Sequence, residues 1–430
     1  ILAPSQFSLP TTFCSQTFLG SHNPGFVKPD YDYILTGGGC AGLSLVYQLL
    51  NSPLKDKRIL LLDKSQKLSN DKTWCYWAEK PYFPSISQSS WENLIFRSDS
   101  FSLNQSVAPL SYYCIHSLSF YKEMHALIAS HENVQIKQAT VLQLEDLSNG
   151  AMVHTTQGNF TGRWVFNSII GRPELTPKDI FLKQHFWGWK IKAQSPLFDP
   201  SSMTLMDFGV TQNGVSRFVY ILPFSPDEAL IEFTVFSQET LSDKVYQKGL
   251  MAYMEERYPG EAFEILEHEK GVIPMTNYRF PRTSGKHILN LGTAGGFTKA
   301  TTGYTFKRIQ EDVKHIVYHL THEGIPRHAP KSASRFAFYD DLLLYIIQEK
   351  GELIKPIFEK LFRKNRFQKI LRFLDEESSL KEDLYLLGRL PWIPFLKAIY
   401  HYYIRKSWKG KKMPRYSNKS SNKQHLEYTA

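Results

Sequence analysis

The chain has 430 residues, of which 42% are hydrophobic and 21% charged, and its formal net charge is +10. This composition excludes a chain that is disordered throughout, and the length predicts two or three lobes rather than one small core. The positive charge is concentrated in Lys360–Lys369 and Arg405–Lys412. Because no helix-turn-helix, zinc-finger or RNA-recognition signature accompanies it, we assign it to an anionic membrane surface and not to nucleic acid.

The cysteines and the hydropathy pattern indicate the compartment. Cys14, Cys40, Cys75 and Cys114 lie far apart and form no CxxC pair, which argues against a metal site and against a disulfide framework. Free cysteines fit a reducing cytosol. The sequence contains no run of 18 or more apolar residues, so we expect a cytoplasmic protein that contacts the membrane only peripherally.

A βαβ unit follows an irregular arm over residues 1–29, which is rich in Ser, Pro and Thr. An apolar strand at Tyr31–Thr36 leads through a glycine turn into an apolar helix at Leu43–Leu50, and a second strand follows at Arg58–Asp63. This order predicts a nucleotide-binding unit with a parallel sheet.

The glycine turn fits the GxGxxG pattern, with an acidic residue 21 positions after its last glycine. Glycines let the backbone approach a pyrophosphate, the helix start offers free N–H groups, and the acid can accept a hydrogen bond from a ribose hydroxyl. The alternative is a glycine turn that only packs. The predicted cofactor-binding residues of this segment are Gly37, Gly39, Cys40, Ala41, Gly42 and Asp63.

A second glycine segment favours FAD over NAD. The strand His287–Leu291 runs into the glycines of Gly292–Gly303, and two-part FAD folds place such a segment near the flavin and the pyrophosphate. Thr293 stands where most flavoproteins carry Asp, which argues against a generic monooxygenase. The predicted cofactor-binding residues here are Gly292, Gly295, Gly296, Thr302, Gly303 and Tyr304.

Together these patterns predict an α/β protein: a Rossmann-like two-part FAD-binding fold with an inserted β-rich substrate domain and a helical C-terminal region. The predicted boundaries are 30–175 and 271–330 for a discontinuous FAD-binding domain, 176–270 for the β-rich domain, 331–412 for the basic helical region and 413–430 for a disordered tail.

Several blocks, in order, resemble the lycopene β-cyclase family of bacterial flavoproteins. They are Thr73-Trp74, Phe186–Trp189, Pro196–Pro200, Leu205–Phe208, Tyr220–Ser225, Leu230–Thr234, Ile273–Thr276, Gly292–Phe306 and Arg372–Leu374. Lys72 replaces the His of the family's His-Thr-Trp. The resemblance covers roughly Tyr31 to Tyr403.

The resemblance implies an isomerase that converts the linear ψ-ends of lycopene into β-rings, giving γ-carotene and β-carotene. It also implies reduced FAD, with NAD(P)H as the reductant, and contact with other enzymes of carotenoid synthesis. An acid protonates the terminal double bond, a tertiary carbocation forms, the ring closes and a proton is lost. The reduced flavin is expected to stabilise the cation.

Glu232 is the predicted proton donor. It matches the first Glu of the Phe-Leu-Glu-Glu-Thr motif of the plant cyclases, whose second Glu is replaced here by Phe233. Its apolar neighbours favour a carboxyl group that stays protonated. The alternative is an exposed glutamate on a strand. Asp207 is a candidate second carboxylate, which orients Glu232 or takes the last proton, or else a turn or edge residue. Aromatic candidates for cation–π stabilisation are Trp187, Trp189, Phe208 and Tyr304.

The segment Pro391–Lys406 mixes large apolar residues with cations, which is typical of an interfacial helix, the alternative being a core helix with a basic face. Asp375–Glu377 is interpreted as a solvated helix end. Two other functions remain open: a redox flavoenzyme, such as a monooxygenase or an isoprenoid reductase, and a non-catalytic carotenoid-binding protein. The glycine segments count against the latter.

Overall fold

A computed structural model describes residues 29–87 and 89–407, without the side chains of 405–407. Its strands are β1 (Tyr31–Thr36), β2 (Ile59–Asp63), β3 (Thr73–Ala78), β4 (Ser89–Trp91), β5 (Asn93–Ser98), β6 (Phe101–Ser106), β7 (Ser111–His116), β8 (Val134–Gln138), β9 (Val141–Leu147), β10 (Gly150–Thr155), β11 (Gly158–Asn167), β12 (Phe181–Ala193), β13 (Ser202–Asp207), β14 (Ser216–Pro223), β15 (Glu228–Ser237), β16 (Phe263–Thr276) and β17 (Ile288–Asn290). Its helices are α1 (Cys40–Leu50), α2 (Ser117–Ala129), α3 (Asp243–Arg257), α4 (Phe306–Glu323), α5 (Ser334–Lys350), α6 (Ile354–Lys364), α7 (Phe367–Leu374), α8 (Leu380–Leu387) and α9 (Trp392–Ser407).

The first sheet is of the Rossmann type. Its strand order is β8-β2-β1-β11-β10-β9, with β17 paired to β11. Strands β8, β2, β1, β11 and β17 are parallel to one another, and the antiparallel hairpin of β9 and β10 joins β11 in antiparallel orientation. The buried side of α1 packs on α4 and on the sheet. Parallel strands with continuous apolar runs are apolar on both faces, and helices cover these faces. The predicted fold class is confirmed.

The second sheet is built from distant parts of the chain, in the order β16-β12-β15-β14-β13-β5-β6. Helix α3 covers one face, and its Tyr246, Leu250 and Tyr253 belong to the core between helix and sheet. The opposite face of β12, β14 and β15 borders a cavity.

This sheet corrects two predicted domain boundaries. Strands β5 and β6 lie within the range predicted for the FAD-binding domain, but β5 pairs with β13 and extends the second sheet. Strand β16 pairs with β12 along its whole length up to Thr276, so the second sheet does not end at residue 270. The backbone groups of these strands are hydrogen-bonded to strands far away in the chain. Local sequence patterns do not reveal such pairing, so they placed the boundaries wrongly.

A small sheet of β3, β7 and β4 lies between these parts of the fold. Helices α5 to α9 form the helical C-terminal region, and their buried residues join strands β5, β13 and β14 in one core. Among the described helices none has the length and apolar character needed to cross a bilayer. The predicted arm before residue 29 and the predicted tail lie outside the described residues.

Candidate active site

The first glycine segment lies at the carboxyl end of β1, where α1 begins. Gly42 approaches the preceding turn so closely that a Cβ there would lie 2.0 Å from the carbonyl oxygen of Gly37. A Cβ at Gly39, in contrast, would meet no protein atom within 4 Å. The backbone at Gly39 therefore borders open space beside the start of α1, which is where a pyrophosphate would be held.

Asp63 ends β2 and reaches this turn. Its Oδ2 accepts the backbone N–H of Gly38 at 2.6 Å, and its Oδ1 accepts the N–H of Ser65 at 2.7 Å. The side chain of Cys40 contacts Ser44 and Gln310, so only its backbone faces the turn. The acid is at the expected position, and its contact with a ribose stays a prediction.

The second glycine segment meets the first. It forms a 3-10 turn at Gly292–Gly295, and a Cβ at Gly292 would lie 3.0 Å from the Cβ of Ala41. Gly295 packs on the carbonyl of Asn290, and Gly296 packs on Phe280. The two segments that were predicted separately thus lie against each other, with Gly295 and Gly296 packed on the rest of the protein.

A cavity enclosing about 770 Å³ of space free of atoms, part of it open to solvent, lies next to the second segment. Gly303 has a φ of +73°, and a Cβ there would lie 2.9 Å from Gln184 Oε1, so this position requires glycine. The lining comes from β3, β7, β12, β14, β15, β16 and the 302–306 segment: Thr73, Trp74, Cys75, Tyr112, Gln184, Phe186, Tyr220, Leu222, Leu230, Glu232, Ile273, Thr302, Gly303, Tyr304, Thr305 and Phe306.

Three buried polar atoms at this cavity have no hydrogen-bond partner within the described chain. They are Gln184 Oε1, Thr302 Oγ1 and Trp74 Nε1. Buried polar groups are normally paired, so such atoms at a cavity indicate a polar ligand. A flavin ring carries carbonyl and N–H groups along one edge, and the residues present fit it.

Glu232 extends into the same cavity from β15. Its Oε1 accepts the hydroxyl of Thr234 at 2.7 Å. Burial raises the pKa of Glu232 and the charge of Glu269 raises it further, while the Thr234 hydrogen bond lowers it, with a result of about 8. A carboxyl group with this pKa is protonated at neutral pH and can act as a general acid.

The sequence analysis missed a second carboxyl group, that of Glu269 on β16. Its Oε1 accepts the backbone N–H of Thr73 at 2.8 Å, and its Oε2 accepts the Thr73 hydroxyl at 2.6 Å. Burial raises its pKa, and these two hydrogen bonds oppose the rise. The only signal in the sequence was an acidic residue shortly before the Ile273–Thr276 block.

Asp207 does not lie at the cavity, which corrects its proposed role. It pairs with Val219 of β14 and faces α3, where its Oδ2 accepts Tyr253 Oη at 2.9 Å and lies 2.5 Å from Arg257 Nη2. A register shift between Thr204 and Asp207 interrupts the alternation of β13. Asp207 is a fully buried ion-pair residue and cannot orient Glu232.

Of the four aromatic candidates, the cavity is lined by Tyr304 alone. Trp187 and Trp189 alternate with Gly188 and pack on the α3 side of the sheet. Phe208 lies in the core below the C-terminal helices, where its ring is tilted by 47° against that of Phe96. Since successive strand residues point to opposite faces, the residues next to those that line the cavity are necessarily turned away from it.

Tyr304 is held by aromatic neighbours. Its hydroxyl lies 3.0 Å from the Tyr112 hydroxyl, and its ring meets Trp77 edge-on at 4.7 Å. Burial raises the pKa of Tyr304, Tyr112 and Tyr220, so these phenols are uncharged near neutral pH. The cavity therefore combines uncharged aromatic walls with one protonated acid.

Solved structures of similar architecture include flavoproteins. HpxO of Klebsiella pneumoniae, in complex with FAD and uric acid, matches with a TM-score of 0.54 and 14% identity over 80% of this chain and 96% of its own. A geranylgeranyl bacteriochlorophyll reductase-like protein of Thermoplasma acidophilum matches with a TM-score of 0.52 and 12% identity over 87% and 96%. The fold and the glycine segments define the class: a protein with the FAD-binding flavoprotein fold.

The chain belongs to the lycopene cyclase family, because the profile described as "Lycopene cyclase protein" matches residues 32–400. A lycopene beta-cyclase of Pantoea ananas is 24% identical over 269 residues, 58% of this chain and 64% of that protein. One of a Paracoccus strain is 32% identical over 127 residues, 28% of this chain and 32% of that protein. The alignments thus span less than two thirds of either relative's length. The resemblance that the ordered blocks indicated is confirmed.

Proposed function

We propose that this protein is a lycopene β-cyclase that binds FAD and closes β-rings on lycopene by acid catalysis. The observation that carries the proposal is the placement of Glu232: a partly buried carboxyl group with a pKa raised to about 8, in a largely apolar cavity next to the segment 302–304. Membership of the lycopene cyclase family supports the substrate.

Cofactor binding follows from the geometry around the glycine segments. The backbone at Gly39 and the start of α1 would hold the pyrophosphate, and Gln184, Thr302 and Trp74 would hold the polar edge of the flavin ring. When bound and reduced, with NAD(P)H as the proposed electron source, FAD supplies negative charge beside the cavity. The protein's own side chains donate the proton and surround the carbocation.

Glu232 donates its proton to the terminal double bond of the ψ-end, and the carboxyl O–H bond is exchanged for a C–H bond. The tertiary carbocation is attacked by the neighbouring double bond, which closes the six-membered ring, and loss of a ring proton restores the alkene. No electron is gained or lost. A cation of this kind survives only where water is excluded, and the aromatic rings of Phe186 and Tyr304 offer π-faces in place of nucleophiles.

Delivery of a water-insoluble carotene requires contact with a bilayer, for which α9 is the proposed element. Ala398 on one side of α9 is fully buried, whereas the other side exposes apolar residues to solvent. The exposed set is Trp392, Ile393, Leu396, Tyr400 and Tyr403. Helix α9 is thus anchored in the core and still presents an apolar stripe suited to the interface.

The function is tested in a lycopene-producing host. The wild-type protein is expected to convert lycopene to products of unchanged mass, and in deuterated water each ring should gain deuterium at the carbon that was protonated. Glu232→Gln is expected to fold, retain FAD and accumulate lycopene. Glu255→Gln, on an exposed residue of α3, is the matched control and should cyclise normally. A product heavier by oxygen or by two hydrogens would replace the proposal by a redox flavoenzyme.

The cofactor is tested separately with Gly39→Leu. Because a side chain at this position meets no protein atom, the variant should fold as the wild type does. Its side chain would occupy the space of the pyrophosphate and abolish FAD binding, measured by flavin fluorescence and thermal shift. Gly171→Leu, at an exposed position with open surroundings, is the control. Full flavin occupancy in Gly39→Leu would refute the assigned site.

A further inference from the structure

Glu269 lies beside Glu232 across a glycine. Gly188 of β12 pairs with Glu232 of β15 on one side and with Glu269 of β16 on the other. Residues paired laterally point to the same face of a sheet, and neighbouring strands are about 4.8 Å apart, so both carboxyl groups extend over one gap. A Cβ at Gly188 would lie 3.7 Å from the Glu232 Cβ and 3.1 Å from Leu230 Cδ1. A larger residue at 188 would fill the space between the acids.

The hydrogen bonds of the two carboxyl groups are unequal. Glu269 accepts two, from the backbone and the hydroxyl of Thr73, and both of its oxygens are used. Glu232 accepts one, from Thr234. Donors to a carboxylate stabilise its charged form, so a pair that holds one proton keeps the negative charge on Glu269 and the proton on Glu232.

Among the titratable groups around the pair, the charges of Asp71 and Glu267 oppose a negative charge on Glu269, but each acts more weakly than either hydrogen bond from Thr73. Those facing Glu232 are Cys75, Tyr112, Tyr220 and Tyr304, all with raised pKa values and therefore uncharged. Those facing Glu269 are Asp71, His116, Lys190, Glu267 and His268. Burial lowers the pKa of His116, and Lys190 is neutralised by Glu228 at 3.0 Å and Glu267 at 3.7 Å.

We propose that Glu269 is a positioning residue whose negative charge, held across Gly188 by Thr73, keeps the proton on Glu232 until the substrate takes it. The inference rests on the proposed function, because a proton-donating Glu232 is what such a partner serves. Once the proton has left, the two carboxylates place two negative charges near the carbocation, which adds to its stabilisation. Glu269 itself does not line the substrate cavity and is not a catalytic residue.

The test is the pH profile of cyclisation, with reduced FAD and lycopene in liposomes, at matched flavin content. In the wild type, activity should fall on the alkaline side near the Glu232 pKa of about 8. Glu269→Gln removes the neighbouring charge, so the pH at which activity falls on the alkaline side of the profile (the alkaline limb) should decrease by about one unit. The rates at acid pH should stay near those of the wild type. Glu269→Asp retains the charge and should keep the wild-type limb, even if its rate is lower.

Glu264→Gln, on an exposed residue of the same strand, is the matched control and should leave the profile unchanged. If Glu269→Gln loses the same fraction of its rate at every pH and its alkaline limb does not shift, the proposal is overturned. Glu269 would then serve only to hold Thr73 in place. If the wild type itself forms no rings, the proposed function fails instead, and the two failures are therefore distinguishable.

A measurement without substrate covers the case in which Glu269→Gln does not fold. Glu269 ionises while Glu232 still holds its proton and is uncharged, so Glu232→Gln should remove the upper of the two carboxyl titrations and leave the lower one, that of Glu269, in place. Infrared difference spectra follow the protonated carboxyl band during titration of the wild type, Glu232→Gln and Glu269→Asp. If the acid that remains in Glu232→Gln titrates near 8, the shared proton lies on Glu269 and the proposal is refuted regardless of the behaviour of Glu269→Gln.

Discussion

Lys299 Nζ lies 2.8 Å from Glu376 Oε1, so the glycine segment of the cofactor site is tied to the loop between α7 and α8. Arg308 Nη2 is also 2.8 Å from the same oxygen, and Asp340 of α5 binds Lys299 at 2.7 Å. Glu376 has a side-chain exposure of only 7%. The Asp375–Glu377 run is therefore not a solvated helix end, because two of its members are buried partners of cations beside the cavity.

Glu376→Gln should destabilise the fold by up to about 3 kcal/mol, because Arg308 loses a counter-charge and the buried Lys299 keeps only Asp340. Burial alone would raise the pKa of Glu376, but Lys299 and Arg308 outweigh it and lower it to about 2. A lowered pKa stabilises the fold above the unfolded value of 4.5, and this stabilisation is lost as the pH falls towards 2. The difference in melting temperature between wild type and variant should therefore be largest at neutral pH and shrink in acid.

Glu377→Gln is the matched control, because the neighbouring side chain is 54% exposed and its bond to Lys307 is a surface pair. It should change the melting temperature only slightly. If Glu376→Gln and Glu377→Gln have the same melting temperature at neutral pH, the buried network does not stabilise the junction between the glycine segment and the helices.

Asp207→Asn should impair folding and leave the chemistry intact. The variant removes the charge of a fully buried carboxylate that is hydrogen-bonded to Tyr253 and paired with the partly exposed Arg257, for which a loss of about 2 kcal/mol is expected. Since Asp207 faces α3 and not the cavity, cyclisation per bound flavin should stay within about twofold of wild type. Chemical denaturation and pigment analysis at matched flavin content measure the two effects.

Arg257→Gln provides the control for this pair. The double variant should lose less stability than the sum of the two single variants, because each removes the same interaction. A strong loss of cyclisation in well-folded Asp207→Asn would restore Asp207 to the mechanism.

The elements that could be predicted are those whose signal is local. The βαβ unit, its glycine turn and Asp63 lie within one short stretch, and Glu232 stands in a strand with regular alternation. Glu269 could not be paired with Glu232 from the sequence, because the two meet only through a third strand, β12. Asp207 was misplaced since a register shift in β13 changes which face a residue points to.

Glu232→Gln should stabilise the protein at neutral and alkaline pH. The pKa of Glu232 is about 8 in the fold against an ordinary value of 4.5, so the folded state binds more protons between these values. The stabilisation is fully present below pH 4.5 and is lost as the pH rises through 8. Gln does not titrate, so the melting temperature of the variant should exceed that of the wild type increasingly from pH 5 to 8. Parallel melting curves across this range would show that Glu232 ionises as freely as in water.

The apolar stripe of α9 is tested by Trp392→Ser combined with Ile393→Ser. These side chains are 73% and 71% exposed, so their replacement should not disturb the core. Each large apolar side chain contributes up to about 2 kcal/mol on burial, and the double variant should bind phosphatidylglycerol vesicles at least about tenfold more weakly. Binding of the wild type should also weaken with salt, because attraction between basic residues and anionic lipid is screened.

Leu68→Ser combined with Leu142→Ser is the matched control, since these leucines are 74% and 66% exposed in the Rossmann-type part of the fold. Vesicle flotation should show normal binding for this control, and lycopene taken from vesicles should be cyclised at the wild-type rate. The α9 variant, in contrast, should cyclise carotene normally in detergent and slowly from vesicles. Equal flotation of both double variants would place the membrane contact elsewhere on the protein.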